Sequence, residues 1–315
     1  MKKQLTILSL VTLFIGGCFG AQKAHADFSL GVYPPITTIT TTAPNIINTV
    51  ISFSNTGDTP IDGDLRIVPF KASDDGTGLP SYMDHFTGPD AQIAQKISLS
   101  ITNAPVTSLT IPPQSKRDVT LTVTLPENEP DGDYYFSVIY TSKPITNNQS
   151  TSTFLNASIA SHVLLSIGAN HKPQGNIDTF DTPIFVTGGP LPITVKVANT
   201  GNAFFAPRGA ITIKNMFGQT VGAINLLPVN ILAQSIRDLP SDEISNTSEE
   251  SKPVWHEKAL FGVYQVQLSV ALSDQGPLYT QTRYVIAIPW IAIGTIIIMS
   301  LLGLFIFLRV KKRTS

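Results

Sequence analysis

Few side chains in this sequence are spaced for catalysis or for metal binding. The histidines lie too far apart to give the paired ligand spacing of a zinc site; they are His25, His85, His162, His171 and His256. The 315 residues contain no Gly-x-Ser-x-Gly, His-Glu-x-x-His or phosphate-binding glycine motif, and one cysteine, Cys18. We therefore expect no enzymatic activity, no cofactor and no small-molecule substrate.

One insertion, from Lys71 to Gln95, carries the residues that could form a binding site. Its carboxylates stand among glycines and a proline: Asp74, Asp75, Asp84 and Asp90. Two such carboxylates could serve a wall-acting hydrolase, and the loop could hold calcium or a glycan, although the Asp/Asn ligand ladder of a calcium loop is missing. A solvated loop is the ordinary alternative.

The same insertion has more aromatic and sulfur-containing surface than a solvated loop needs. Exposed apolar groups on a loop usually indicate a contact surface. We predict a contact loop that consists of Asp74, Asp75, Tyr82, Met83, His85 and Phe86.

Composition excludes two classes of protein. Only 14% of the residues are charged, against about 25% in soluble proteins, which argues against intrinsic disorder. All 22 acidic residues lie within 27–283, whereas seven of the 21 basic residues lie in the two flanks. The body is therefore mildly acidic and has no basic patch for nucleic acid.

Both ends resemble targeting segments. Residues 1–26 form a predicted signal peptide, because Lys2 and Lys3 precede an apolar run and Ala24-His25-Ala26 supplies a cleavage site. Alternatively, Ile15-Gly16-Gly17-Cys18 is a lipobox and Cys18 is acylated. Residues 284–308 are uncharged and a basic tail, 309–315, follows. This pattern predicts a single transmembrane helix with the body outside the cell and the tail in the cytoplasm.

Between the two flanks, apolar and polar residues alternate with a period of two. One example is the segment from Val119 to Leu125, where aliphatic residues alternate with threonines. This pattern predicts an all-β body of two tandem immunoglobulin-like antiparallel sandwiches, over 27–168 and 176–283, joined by a linker at 169–175. The exported part lacks cysteine, which favours a Gram-positive cell surface.

The two predicted domains repeat three landmarks in the same order. Asn55-Thr56-Gly57 matches Asn199-Thr200-Gly201, Gln114-Ser115 matches Gln234-Ser235, and a Gly-x-Tyr sequence starts at both Gly132 and Gly262. The tyrosine of each Gly-x-Tyr fits the corner tyrosine of immunoglobulin-like folds, and an inward residue follows two positions later. We assign these positions a structural role; they are Tyr134, Phe136, Tyr264 and Val266.

Four segments of the first predicted domain resemble the first domain of the WxL-interacting surface proteins of Gram-positive bacteria. They are the opening Phe28-Ser29-Leu30-Gly31-Val32-Tyr33-Pro34-Pro35, the Asn55 landmark, Ile111-Pro112-Pro113-Gln114-Ser115 and Gly132-Asp133-Tyr134. The resemblance implies a peptidoglycan-binding first domain and a second domain that binds a partner protein. We therefore predict a membrane-anchored surface scaffold that contacts peptidoglycan or another surface protein. The alternatives are a membrane-tethered assembly chaperone, which would show a long exposed edge strand, and a wall-acting hydrolase or its accessory subunit.

Overall fold

The computed structural model describes residues 30–88, 91–143, 157–168, 172–242, 252–273 and 277–314. The predicted signal peptide, the alternative acylation site Cys18, and Asp90 lie outside these ranges. So do residues 169–171 of the predicted linker.

The described body up to residue 287 is built from β-strands, so the predicted all-β fold is confirmed. The strands are β1 (Leu30–Tyr33), β2 (Ile36–Thr41), β3 (Asn45–Asn55), β4 (Ile61–Ala72), β5 (Pro80–Tyr82), β6 (Ile97–Ile101), β7 (Ala104–Pro105), β8 (Ser108–Ile111), β9 (Ser115–Leu125), β10 (Gly132–Ser142), β11 (Ser158–Ile167), β12 (Gly175–Asp181), β13 (Phe185–Val186), β14 (Leu191–Pro192), β15 (Thr194–Asn199), β16 (Arg208–Lys214), β17 (Thr220–Leu226), β18 (Ser235–Asp238), β19 (Val254–Trp255), β20 (Gly262–Ala271) and β21 (Leu278–Ala287). Two helices accompany them in the described residues: α1 (Ala91–Ala94) and α2 (Trp290–Thr314).

The first domain, β1 to β11, places its core between two sheets. Their strand orders are β1-β3-β9-β6-β7 and β2-β11-β10-β4-β5, with β8 beside β4. Because side chains alternate across a strand, every second residue points into the core. Ile51 and Phe53 of β3 meet Phe136 of β10 and Val163 of β11 in one buried cluster.

The second domain, β12 to β21, has a separate core. Its main sheets have the orders β12-β15-β18 and β13-β21-β20-β16-β17, and β14 pairs with β19. Val195 and Val197 from one sheet and Ile211, Val266 and Leu268 from the other are buried together. Completely burying an aliphatic side chain of this size stabilises a domain by about 1.5–3 kcal/mol.

The repeated asparagine has the same buried role in both domains. Asn55 donates from its amide to the carbonyl oxygens of Thr59 (2.8 Å) and Ile111 (3.1 Å), and its side-chain oxygen accepts from the Gly57 amide. Asn199 donates to Ala203 (2.8 Å) and Ile231 (3.0 Å) in the same way. Each asparagine therefore fixes two loops to the end of its strand, a role beyond the tight turn that the sequence indicates.

The repeated glutamine lies beside each buried asparagine. Gln114 has a backbone φ of 48° and donates from its side-chain amide to the Thr56 carbonyl at 2.7 Å. Gln234 has a φ of 53° and donates to the Thr200 carbonyl at 2.8 Å. Both residues occupy the left-handed region that is unfavourable for a residue with a Cβ, and these bonds hold them there.

The C-terminal part corrects the predicted membrane anchor. β21 extends to Ala287, and Val285 and Ala287 are buried in the second core. The apolar run that we interpreted as a span from residue 284 therefore begins inside a sheet. Within the described residues, no helix combines the length and the apolar character needed to cross a membrane. This finding contradicts the predicted transmembrane helix over 284–308, the single-pass localisation and the cytoplasmic tail.

Candidate functional site

The two domains are joined by a hydrogen-bonded relay that sequence reasoning did not identify. The Tyr135 hydroxyl accepts from the Ala233 amide (3.1 Å) and donates to the Asp133 carboxylate (2.8 Å). The same carboxylate oxygen accepts from the Phe204 amide at 2.5 Å. The Tyr135 and Phe204 rings lie edge to face with centroids 6.4 Å apart. This relay uses the Gly-x-Tyr region of the first domain for an interdomain contact.

A second contact comes from the hairpin of β4 and β5. Its tip reaches the second domain, where the Asp238 amide donates to the Gly76 carbonyl at 2.9 Å. Gly78 has a φ of +75°, and a Cβ at this position would collide with the Arg237 guanidinium. Asp238 also pairs with Lys196 at 3.7 Å. The insertion is therefore part of the interface between the domains.

A cleft with a cavity of about 210 Å³ lies between these two contacts. Most of its walls are apolar. The first domain contributes Ile36, Phe70, Ala72, Gly78, Pro80, His162 and Leu164, and the second contributes Pro228, Val229, Asn230, Leu232, Ser235, Ile236 and Arg237. The Arg237 guanidinium donates to the Asn230 carbonyl at 2.6 Å, which places a positive charge in an apolar wall.

His162 is the titratable side chain on the first-domain wall of the cleft. Its Nδ1 lies 2.8 Å from the Ser137 hydroxyl, and its ring is edge-on to Phe70 with centroids 5.4 Å apart. The Tyr82 ring is close to both, with its centroid 6.4 Å from that of His162 and 6.3 Å from that of Phe70. Burial lowers the pKa of His162, because the charged imidazolium is poorly solvated there. The side chain is half-buried.

An open strand edge borders the cleft. β2 pairs with β11 from His162 to Ile167, and the His162 amide donates to the Pro35 carbonyl. In the described part of the chain, the preceding residues of β11 pair with β10 alone. Because backbone groups alternate in direction along a strand, Ser158 and Ala160 present their N–H and C=O groups outward.

The structure divides the predicted contact loop into three places. Asp74 pairs with Lys71 at 3.7 Å, and the Asp75 carboxylate accepts from the Thr77 amide and hydroxyl, bonds that lower the pKa of Asp75. Neither carboxylate lines the cleft. These local bonds account for the positions of Asp74 and Asp75 without a bound sugar or calcium ion.

The aromatic residues of the loop have different surroundings. Tyr82 is 46% exposed beside the cleft, and the Met83 amide donates to the Pro69 carbonyl. Phe86 packs against the first core, with its ring 6.5 Å from that of Phe136, whereas His85 is exposed. The six residues therefore do not form one continuous surface, and their role in contacting a partner stays a prediction.

The four residues with an expected structural role are in the cores. Tyr134 and Phe136 belong to the first buried cluster, and Tyr264 and Val266 belong to the second. The Phe261 amide donates to the Tyr264 hydroxyl at 3.2 Å. This bond ties the tyrosine back to the corner that precedes its strand.

No metal centre is formed by the residues described: nowhere among them do three or more His, Cys, Asp or Glu side chains come close enough to hold an ion.

The interface residues Tyr135, Phe204 and Arg237 have no sequence pattern that indicates a contact between domains. Arg237 follows two residues after Gln234-Ser235, as Arg117 does after Gln114-Ser115, and nothing in this repeat indicates an interface.

Comparisons with known proteins identify a resemblance in fold. No family profile and no curated protein match the chain. Similar solved structures include the class 5 fimbriae chaperone CfaA, at 12% identity over 74% of this chain and 100% of that one, with a TM-score of 0.38. The E. coli chaperone DraB matches at 12% over 81% and 96%, with a TM-score of 0.36. Pseudomonas aeruginosa CupB2 chaperone matches at 13% over 80% and 99%, with a TM-score of 0.35. At these values the resemblance carries no argument about what this chain binds.

The predicted membrane-anchored scaffold on peptidoglycan is contradicted. Its anchor is overturned by the absence of a spanning helix among the described residues. The similar structures named above are described as chaperones, and none of them as a wall-binding or Gram-positive surface protein. None of the similar structures described is a WxL-interacting protein, so that resemblance stays a prediction.

Proposed function

We propose that this chain binds an extended segment of a partner protein at the interdomain cleft, in the manner of an assembly chaperone. One observation carries the proposal: the open edge of β11 ends at His162, and His162 lines an apolar cavity. The edge offers backbone hydrogen bonds and the cavity offers a place for one side chain of the same segment. Together they are the two components of recognition by strand addition.

The edge of β11 suits a short added strand. Ser158 and Ala160 present two N–H and two C=O groups, and the His162 amide that follows is already bonded to Pro35. An added strand would therefore lie beside Ser158–Ser161 and end at Pro34, whose carbonyl accepts from the Ser161 hydroxyl at 2.7 Å. Because Pro34 blocks the strand at this point, the bound segment cannot slide further along β11.

The cavity suits an apolar side chain. Its volume of about 210 Å³ exceeds the roughly 150 Å³ that holds a benzene-sized group in an apolar cavity. Phe70, Leu164 and Leu232 are among its walls. Clefts between domains are also a frequent position for binding sites, and the relay through Tyr135 fixes the distance between the two walls.

The solved chaperones provide a parallel on which the proposal does not rest. One similar structure is a chaperone–tip adhesin complex and another is the SafA pilin with the SafB chaperone. The proposed role places the present chain with such proteins as a binder of protein subunits that is not an enzyme.

Site-specific photo-crosslinking in the source cells tests the proposal. A crosslinking residue at Ala160 is expected to capture a protein, whereas the same residue at Gln219, in the exposed turn between β16 and β17, is not. The variant Ala72→Trp fills the cleft and is expected to reduce the crosslink at Ala160 severalfold, because the anchoring side chain is excluded. Equal capture at both positions, or no effect of Ala72→Trp, would contradict the proposal.

A further inference from the structure

The last strand of the second domain has a much longer open edge than the last strand of the first. β21 pairs with β20 along its whole length, but β13 covers only Ile286 and Ala287 on the other side. In the part of the chain that the structure describes, no strand pairs with this side of β21 between Leu278 and Val285. The open edge is eight residues long, against four on β11.

The difference arises from where the first strand of each domain changes sheets. Gly132 pairs with Ile167, and Gly262 pairs with Ala287, so His162 and Thr282 are equivalent positions. In the first domain the chain crosses after β1, at Pro34-Pro35, and β2 then covers six residues of β11. In the second domain β12 stays in its sheet for seven residues, and the chain crosses to the other sheet only at Pro183.

The edge of β21 lacks the usual protection of edge strands. Natural edges are commonly blocked by proline, by several charges or by a bulge. β21 has no proline, one charged residue, Arg283, and a continuous register with β20. The Ile286 amide donates to the Ile184 carbonyl. The even-numbered residues of β21 therefore direct their N–H and C=O groups away from β20, towards the open side. Leu278, Thr280, Thr282 and Tyr284 therefore present their backbone groups outward. The Thr282 carbonyl among them also accepts from the exposed Arg283 guanidinium at 3.3 Å, a bond that an added strand would have to replace.

The side chains along the edge define the chemistry of an added strand. Leu278 and Tyr284, 64% and 60% exposed, lie on the outer face. Tyr279 packs against the core, and the Arg283 guanidinium lies 5.9 Å from the centre of the Phe180 ring. The first domain shows what occupies the equivalent position: β2, a strand of isoleucine and threonine only.

We infer that the open edge of β21 binds a proline-free, β-branched segment of a partner protein that carries an acidic residue opposite Arg283. The occupant takes the place that β2 fills in the first domain. Backbone bonds to Thr280, Thr282 and Tyr284 supply the affinity, and the Arg283 charge supplies the selectivity. This site goes beyond the proposed function, since it lies in the other domain and does not use the cleft.

Binding of labelled peptides to the full-length chain tests this inference. The probes are two seven-residue peptides of alternating valine and threonine, one with a central glutamate and one with a central lysine. We expect saturable binding of both, with the glutamate peptide roughly threefold to fivefold tighter, the range of an exposed ion pair. Thr282→Pro removes an outward N–H and is expected to weaken binding about tenfold. Thr282→Val, which keeps that N–H, is the matched control.

Charge reversal keeps the test decisive if Thr282→Pro does not fold. Arg283→Glu is expected to invert the preference so that the lysine peptide binds more tightly. Absence of binding, or an unchanged preference in Arg283→Glu, would overturn the inference. Concentration-dependent dimers of the chain without peptide, abolished by Thr282→Pro, would overturn it in favour of a second copy as the occupant. Ala72→Trp is expected to leave this binding unchanged, so failure of this inference and failure of the cleft proposal are distinguishable.

Discussion

The two domains share one internal frame and differ in the edges that they leave open. Asn55 and Asn199 make equivalent buried bonds, and Gln114 and Gln234 make equivalent bonds beside them. The last strand of the first domain is nevertheless covered over six residues and that of the second over two. Core geometry and available edge are therefore set by separate parts of the sequence.

The position of a proline explains this separation. Proline cannot donate to a ladder, so it is commonly found where a strand ends, bends or lies at the edge of a sheet. Pro34-Pro35 comes early in the first domain and frees six residues to pair with β11. Pro183 comes late, and only Phe185 and Val186 remain to pair with β21. A change in crossing point opens an edge without disturbing the core.

The largest effect is expected from the shared asparagines. Asn55→Ala and Asn199→Ala each leave a buried carbonyl of the facing loop without its donor, so each variant should lose about 2–4 kcal/mol from the free energy of unfolding of its own domain. Calorimetry of the full chain would resolve the two transitions. Asn48→Ala, an exposed asparagine of β3 that accepts from the Thr122 hydroxyl, is the control and should cost about 0.5 kcal/mol. If Asn48→Ala and Asn199→Ala lowered the free energy of unfolding equally, the buried bonds of Asn199 would not have the role that we assign to both Asn55 and Asn199.

A smaller effect is expected at the interface between the domains. Tyr135→Phe removes the hydroxyl that accepts from Ala233 and donates to Asp133, with an expected loss of about 1 kcal/mol. Because both domains use this bond, both calorimetric transitions should shift. Tyr33→Phe, at a tyrosine that is 74% exposed, should shift neither. A shift confined to the first domain would show that the relay does not couple them.

The smallest effect is a pH dependence confined to the first domain. Burial holds the pKa of His162 below its ordinary value of 6.5, so the unfolded chain binds the proton more readily than the folded one. Stability should therefore be complete above about pH 6.5 and fall as the pH drops towards the folded pKa, with a slope of at most about 1.4 kcal/mol per pH unit. Urea unfolding of wild type and His162→Gln between pH 5 and 8 measures it. The same slope in the variant would assign the effect to other groups.

Sequence reasoning identified the features that depend on local pattern. Alternation predicted the strands, and the repeated Asn and Gln landmarks marked equivalent corners. It failed at residues 284–287, because a buried strand and the start of an apolar helix have the same hydropathy. The interface could not be predicted, since the Asp133 and Tyr135 bonds join residues 71 and 98 positions apart. The open edge also depends on where a distant strand crosses between sheets.

Residue-resolved amide hydrogen exchange of the full-length chain most directly tests the claim that equivalent strands differ in their edges. Thr282 and Tyr284 should exchange on the order of a hundredfold faster than their equivalents His162 and Leu164, whose N–H groups face β2. Equal protection at the two pairs of positions would contradict the account, because it would show that the edge of β21 is already covered.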